Sequence, residues 1–347
     1  MTLTERIAAF SSLGEILRDA LDGKASRHTD RLMLLAETQH LNNPWFTPDN
    51  VRMAVGAIAG VLTEKNLRKW TDAYPLLKEN HTPVKVAVVM AGNIPLVGFH
   101  DFLSVLISGN MVLAKTSSRD PDLIVFIRDI LCDINPGLSQ LIEFTESNMA
   151  GFDAVIATGS DNTSRYFDQY FGKYHHIIRK NRNSIAILSG NETAGELEAL
   201  GSDVFSYFGL GCRNVSKLFV PEGYDLNMLT GCWKKYSGLV SHMKYANNYD
   251  FNKAVALVNR EPFVDTGYLI LKESNGISSP VAVLYYEYFS PEEHVTRKTE
   301  EMKEKIQCII GRNHLPFGTA QAPALWDYAD GTDTLEFLLK KNIAGIL

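Results

Sequence analysis

Cys212 is the residue of this 347-residue chain whose neighbours most suggest covalent chemistry. It lies in a glycine-rich turn, FGLGCRN (208–214), between a helical stretch and a strand, with Gly209 and Gly211 before it and Arg213 after it. Glycines there let the backbone bend sharply and leave room for a ligand beside the thiol. An adjacent guanidinium favours the thiolate, the form that attacks carbonyl carbon. The other cysteines fit structural roles: Cys132 falls on the apolar face of a helix, Cys308 inside an apolar strand, and Cys232 is grouped with them. Four scattered cysteines make no disulfide framework, and no CxxC or HxxxH pair suggests a metal site.

Three further segments carry polar groups at the ends of apolar strands, where α/β sheets collect ligands. In AGNIPLVGF (91–99), Asn93 sits between Gly92 and Pro95, placed either to aim its amide at a substrate or simply to make a strand-to-helix turn. In GNMVLAKTSSRDP (109–121), Lys115 ends a five-residue strand and is followed by Ser117, Ser118 and Arg119, donors that suit a phosphate or ribose but would equally suit an exposed loop. In ATGS (157–160), Thr158, Gly159 and Ser160 open a helix, whose N-terminus either seats a pyrophosphate or is merely capped by them. GLGCRN fails the GxGxxG fingerprint at Asn214, so no conventional dinucleotide motif is claimed. His175-His176 lies within a strand and reads as structural.

The elements that must position these residues change character along the chain. Apolar residues recur at helical spacing in Leu3–Leu21, Leu32–Leu41 and Val51–Leu62. After Pro83, short β-branched runs alternate with amphipathic ones: strands at 84–92, 111–115, 141–144, 154–160, 175–180 and 184–190, helices at 99–109, 120–134 and 162–171. Asp120-Pro121 reads as an N-cap followed by a first-turn proline. A capping box at Thr193–Glu196 starts a helix expected to run to Phe208, and another is expected at Ser290–Glu293. Near-continuous apolar strands alternating with helices imply a parallel sheet covered on both faces.

Composition narrows the function. Thirty-four basic against 40 acidic residues give a formal charge of -6, with no local Lys/Arg tract, so no nucleic-acid partner is expected. No apolar run approaches the ~20 residues of a spanning helix, so membrane insertion is not expected. The first twenty residues mix charges with apolar side chains, unlike a signal peptide. A cytoplasmic location is the resulting expectation.

The order AGNIP, GNMVLAKTSS, ATGS, FGLGC, LPFG over residues 84–320 resembles the aldehyde dehydrogenase superfamily. GNIPLVGFHDFLSVLISGNMVLAKTSSRDP looks most like its acyl-CoA reductase branch, which includes the fatty-acid reductase of bacterial bioluminescence. The resemblance implies an α/β fold with a parallel-sheet cofactor domain, a smaller α/β catalytic domain and a helical N-terminal segment. The boundaries expected are 1–200, rejoined by 312–347, for the helical segment and cofactor domain, and 201–311 for the catalytic domain. It implies that Cys212 is the nucleophile forming an acyl thioester, and that Asn93 supplies the oxyanion-hole amide. Lys115, Ser117, Ser118 and Arg119 match the adenosine-ribose contact, and Thr158, Gly159 and Ser160 the turn near the cofactor pyrophosphate.

Three departures from the family pattern shape the reading. Where relatives carry a Glu-Leu-Gly-Gly-Lys-Ser-Pro segment whose Glu activates water, this chain has Arg179–Ile185 and no base. The Glu-x-Phe-Gly-Pro segment that holds the nicotinamide ribose is reduced to Gly276-Ile277-Ser278-Ser279-Pro280, with Glu273 a substitute candidate. No C-terminal oligomerisation arm is recognisable, which leaves a homodimer through other surfaces open. The implied activity is NAD(P)H-dependent reduction of a fatty acyl-CoA to an aldehyde. An acyl-phosphate reductase or aldehyde dehydrogenase on the same fold, or a non-catalytic binding subunit, are the alternatives.

The same resemblance yields a cofactor prediction. NAD-preferring relatives carry a Glu shortly after the strand-terminal Lys, where it would repel a 2′-phosphate. Here that position is Ser118, followed by Arg119, so NADPH is expected, with NADH also accepted. Comparing kcat/KM for both cofactors in wild type and Ser118→Glu checks this: the substitution should move preference toward NADH. A strong wild-type preference for NADH, unmoved by Ser118→Glu, would place the ribose site elsewhere.

Overall fold

Thr2 opens the first helix. Its hydroxyl accepts the Glu5 N–H at 3.3 Å while the Glu5 carboxylate accepts the Thr2 N–H at 2.7 Å, pairing two donors that a helix start leaves open. The computed structural model describes residues 1–79, 82–146, 149–159, 161–290 and 292–340. Along helix α1 (Leu3–Leu21), Ile7, Phe10, Leu13 and Leu17 form one buried stripe. A Cβ on Gly14 would stand 2.2 Å from the Leu62 carbonyl oxygen, so only glycine permits this approach. Helices α2 (Arg27–Thr38), α3 (Pro48–Val61) and α4 (Glu64–Thr71) start at Ser26, Thr47 and Thr63, whose hydroxyls each accept an N–H three residues on. Among the described residues, no helix is long and apolar enough to cross a membrane.

The alternating region forms a sheet from β1 (Lys85–Val89), β2 (Met111–Lys115), β3 (Ile142–Phe144), β4 (Ala154–Thr158) and β5 (His175–Arg179), with α5 (Phe99–Ile107), α6 (Leu123–Ile134) and α7 (Asp161–Phe171) between them. All pairings are parallel, in the order β3-β2-β1-β4-β5. Successive residues face opposite sides of a strand, and here both sides are covered. Val86, Val88, Val112, Ala114, Ala154 and Ile156 join the large helical core. Ala87, Leu113, Val155 and Ala157 pack with Phe152, Phe167, Phe171 and Tyr174 on the other side. That is why these strands read as unbroken apolar runs. Asp120 is not the N-cap that the sequence suggested: α6 starts at Leu123 behind Asp122, and Asp120 turns its carboxylate to the N–H of Leu96, 2.8 Å away.

A second compact unit begins at Arg182. Its strands are β6 (Asn183–Ile187), β7 (Val215–Pro221), β8 (Val264–Asp265), β9 (Ile270–Glu273), β10 (Val283–Phe289) and β11 (Ile306–Ile310); its helices are α8 (Ala194–Phe205), α9 (Asn227–Cys232), α10 (Met243–Val258) and α11 (Glu292–Glu301). The sheet order is β11-β6-β7-β10-β9-β8, parallel except for β8. The Thr193–Glu196 capping box forms as expected, but α8 stops at Phe205, because Tyr207 (φ 51°) and Phe208 (φ 58°) take left-handed conformations. Of the second expected capping box, Pro291 lies outside the described residues.

On β7, Leu218 and Val220 enter one core and Phe219 another. Lys217 is fully buried, its ammonium donating to Glu287 at 2.5 Å and to the Ser274 carbonyl at 2.9 Å. Burial pushes the Lys217 pKa down. Burial also favours a neutral Glu287, but bonds from Lys217 and Lys298 outweigh it and hold that carboxyl below its ordinary value.

The chain then returns to the first unit, where α12 (Thr334–Leu339) is capped by Asp333. The two units are Met1–Asn181 with Ala324–Leu347, and Arg182–Pro323. The expected boundaries at 200/201 and 311/312 are therefore displaced. Residues 180–182 separate β5 from β6, yet β6 bonds to β7 and β11 and never to β5. Strand alternation does not say which sheet a strand joins.

Removing one partner of a buried ion pair costs about 3–5 kcal/mol, while replacing the pair with apolar residues is often neutral. Urea unfolding should show a loss of that size for Glu287→Leu and recovery of most of it in Lys217→Met/Glu287→Leu. A single variant as stable as wild type would show that the pair does not support the sheet.

Candidate active site

In the first unit the chain leaves β1 for β2 and β3 on one side and then crosses to β4 and β5 on the other. The carboxyl ends of β1 and β4 thus flank a topological switch point, the usual ligand crevice of a parallel sheet. Asn93 follows β1 there, Thr158 ends β4 and Gly159 follows it; Ser160 lies outside the described residues. A Cβ on Gly159 would come within 2.9 Å of Phe167 and 3.0 Å of Thr163, so α7 packs directly under this turn.

The loop after β2 is built against the loop after β1. A Cβ on Gly92 would fall 2.4 Å from the Ser117 hydroxyl and 3.0 Å from Arg119 Cβ. The Gly92 carbonyl accepts from the Asn43 amide at 3.2 Å. Leu96, buried and left-handed at φ 58°, gives its N–H to Asp120. The Ser117 hydroxyl accepts the Arg119 N–H at 3.2 Å and so shapes the loop, leaving Ser118 and Arg119 exposed and Lys115 half-buried. The structure thus brings Asn93, Lys115, Ser117, Ser118, Arg119, Thr158 and Gly159 to one edge of one sheet. Burial pushes the Asp120 carboxyl up to about 6, against the pull of the Leu96 and Leu123 N–H groups.

In the second unit Cys212 lies half-buried just before β7. Tyr207, Phe208 and Gly209 (φ 76°) are successive left-handed residues that turn the chain sharply out of α8. Asn214 fixes the result: its side-chain oxygen accepts the Gly211 N–H at 2.8 Å, and its amide donates to the carbonyls of Ser206 (2.8 Å) and Asp203 (3.1 Å). The Ser184 hydroxyl donates to the Cys212 carbonyl at 3.0 Å and lies 3.0 Å from the Cys308 sulfur. Arg213, expected from the sequence to favour the thiolate, donates its Nε to the Ala320 carbonyl at 2.5 Å. Burial pushes the Cys132 thiol up, as suits a structural cysteine.

Arg179, which the motif order sets where the resemblance would place a water-activating Glu, is built into the first unit as a tie. It is 3% exposed, pairs with Asp101 through two bonds of 2.7 and 3.2 Å, and donates to the Ala329 carbonyl (2.7 Å) and the Thr334 hydroxyl (2.8 Å). Its guanidinium ties β5 to α5 and to the returning segment. The Gly276–Pro280 segment supplies no carboxylate; it is anchored to β7 by the Ser216 hydroxyl on the Ile277 carbonyl at 2.6 Å, while Glu273 is exposed at the end of β9. Asp203, Asn214 and Asp120 shape the candidate site but carry little signal in the sequence. Their signal is a polar residue within a few positions of a glycine-rich or proline-containing turn, which many loops share.

The acyl-CoA reductase (LuxC) family profile matches residues 45–230, more than half of the chain. A curated relative, long-chain acyl-protein thioester reductase 2 from Photobacterium leiognathi, is 23% identical over 192 residues. That match covers 50% of this chain and 40% of the relative, so the chain spans less than half the relative's length. Among solved structures, an aldehyde dehydrogenase from Bacillus cereus in complex with NAD+ has a TM-score of 0.62 at 15% identity, covering 89% of this chain and 72% of that one. The aldehyde dehydrogenase KauB from Pseudomonas aeruginosa has a TM-score of 0.63 at 14% identity, with 89% and 72% covered. The fold is aldehyde dehydrogenase-like, as the motif order implied.

The raised Asp120 pKa carries a sign. A carboxyl at about 6 when folded and near its ordinary value of 3.8 when unfolded binds its proton more tightly in the folded chain. Its stabilising contribution is complete below about 4 and is lost as pH rises through about 6. Urea midpoints measured across that window should fall less steeply with pH in Asp120→Asn than in wild type. Parallel slopes would mean that Asp120 stays ionised.

Proposed function

Because the chain belongs to the acyl-CoA reductase (LuxC) family, we propose that it reduces a fatty acyl thioester to an aldehyde through an acyl intermediate on Cys212. The observation that carries this reading is the Cys212 turn itself. Its flanking residues are fixed by Asn214 and Arg213 and its own carbonyl by Ser184. Such a turn fixes the backbone that carries the thiol, and a defined position for the nucleophile is what attack on a bound carbonyl requires.

In the proposed reaction the Cys212 thiolate adds to the acyl carbonyl carbon, and the incoming thioester's C–S bond breaks to release its thiol. Asn93 donates its amide to the oxyanion, a contribution of ~10²–10³ in rate for one such donor. A nicotinamide cofactor fits the donor set at the first unit's switch point. Lys115, Ser118 and Arg119 would take its ribose and phosphate end, with Ser117 shaping their loop, and Thr158 and Gly159 its pyrophosphate. When bound, it supplies the hydride that releases the acyl carbon as aldehyde. NADPH is the proposed form, because Ser118 and Arg119 present no carboxylate to a 2′-phosphate.

Arg179 supports reduction over hydrolysis. A buried guanidinium engaged by Asp101 neither accepts a proton from water nor leaves space for a base there. The acyl-enzyme should then wait for reductant. The incoming acyl donor is a CoA thioester, from the family description, or an acyl-protein thioester, as in the name of the Photobacterium leiognathi relative.

Intact-protein mass spectrometry after incubation with fatty acyl-CoAs of graded length tests the proposal. One acyl adduct should form on Cys212, persist without reduced cofactor, and disappear when NADPH is added. Label mapped to Cys232, acylation surviving Cys212→Ala, or rapid release of free acid would each count against it.

A further inference from the structure

Asp203 is a fully buried carboxylate in the last turn of α8, nine residues before Cys212, and among the described residues no cation hydrogen-bonds to it, although Arg213 is near enough to act on it through charge. Its partners are backbone: the Gly318 N–H at 2.6 Å and the Ala320 N–H at 3.0 Å. Burying a charge for two amides is expensive unless those amides must be held. Gly318 is left-handed at φ 83°, and a Cβ there would press on Ala199 at 3.0 Å, so this segment lies flat against α8.

From Ala320 the connections continue. Its carbonyl accepts Arg213 Nε at 2.5 Å, Arg213 is bonded in sequence to Asn214, and the Asn214 amide donates back to the Asp203 carbonyl at 3.1 Å. The loop of contacts closes on itself and passes through the residue on each side of Cys212: Arg213 directly, and Gly211 through the Asn214 oxygen at 2.8 Å. Burial pushes the Asp203 carboxyl up to about 6, against the pull of Gly318, Ala320 and Arg213, so at neutral pH the charge is retained at a cost.

We infer that Asp203 is a positioning residue for Cys212, acting through the 318–320 segment and Arg213. It couples two stretches that the sequence shows only as separate motifs, the Pro316-Phe317-Gly318 segment and the cysteine turn. The inference rests on the reading of Cys212 as nucleophile but concerns how that thiol is held, which can be measured without turnover.

The test uses full-length wild type, Asp203→Asn, Arg213→Met, Arg213→Lys and the Asp203→Asn/Arg213→Met pair. Each is treated with iodoacetamide near neutral pH, and Cys212 modification is timed by peptide mapping, with Cys132 as reference in the same digest and glutathione as a thiol with no imposed surroundings. Wild-type Cys212 should differ from glutathione by about fivefold or more. That difference should shrink to about twofold in Asp203→Asn and in Arg213→Met and be partly restored in Arg213→Lys. Because both act through one ring, the double variant should go no further than either single one. Cys132 should be unmoved.

If Asp203→Asn does not fold, the two Arg213 variants still test the ring. Three results would overturn the inference: wild-type Cys212 reacting like glutathione; Cys212 reactivity unchanged in folded Asp203→Asn or in folded Arg213→Met; or fully additive effects. Failure of the proposed reaction shows separately, as no acyl adduct on wild-type Cys212 with this alkylation pattern intact.

Discussion

A buried backbone N–H or C=O must find a partner, and at the turns that carry Asn93 and Cys212 buried polar side chains supply several of those partners. Asn214 takes the Gly211 N–H and the Ser206 and Asp203 carbonyls around the cysteine turn. Asp120 takes the Leu96 N–H in the turn that follows Asn93, and Asn43 takes the Gly92 carbonyl in the same turn. Each of these turns includes left-handed residues that are not glycine, Leu96 in one and Tyr207 and Phe208 in the other. Such conformations persist only where surrounding bonds over-determine them. The side chains that could do chemistry sit on backbone that could not hold its shape alone.

Parallel sheets set where those turns fall. A parallel strand must be left at one end and re-entered at the other, so ligand-facing loops collect at sheet edges. In the first unit that edge gathers Asn93, Lys115 and Thr158 from three strands. In the second, the cysteine turn immediately precedes β7, whose core includes a lysine neutralised by Glu287. Buried charge recurs because polar side chains are the means of pinning irregular segments to the sheets: Lys217 on the Ser274 carbonyl, Arg179 on the Ala329 carbonyl, Asp203 on Gly318 and Ala320.

Arg179 gives this economy a chemical consequence. A guanidinium committed to Asp101, Ala329 and Thr334 stabilises the first unit and, under the proposed function, stands where a water-activating carboxylate would otherwise be sought. The same residue then serves packing and protects the acyl-enzyme. The two effects share one cause, since a buried arginine with four satisfied donors has no spare acceptor for a proton.

What the sequence determined by itself is local. Helix starts with a hydroxyl cap, the apolar stripe of α1, the unbroken apolar runs of β1, β2 and β4, and the order of motifs from Asn93 to Pro316-Phe317-Gly318 all follow from residue types at short spacing, because capping, periodicity and turn chemistry act over a few residues. Only the tertiary structure decided the rest. Strand β6 joins β7 and β11 although the chain reaches it from β5; Asp120 serves Leu96 instead of capping α6; α8 ends at Phe205; Arg179 ties β5 to Asp101; Asp203 reaches across more than a hundred residues to Gly318. In each case the deciding partner is distant in sequence, and a hydrogen bond or sheet register with a distant partner leaves no periodic trace in the residues that make it.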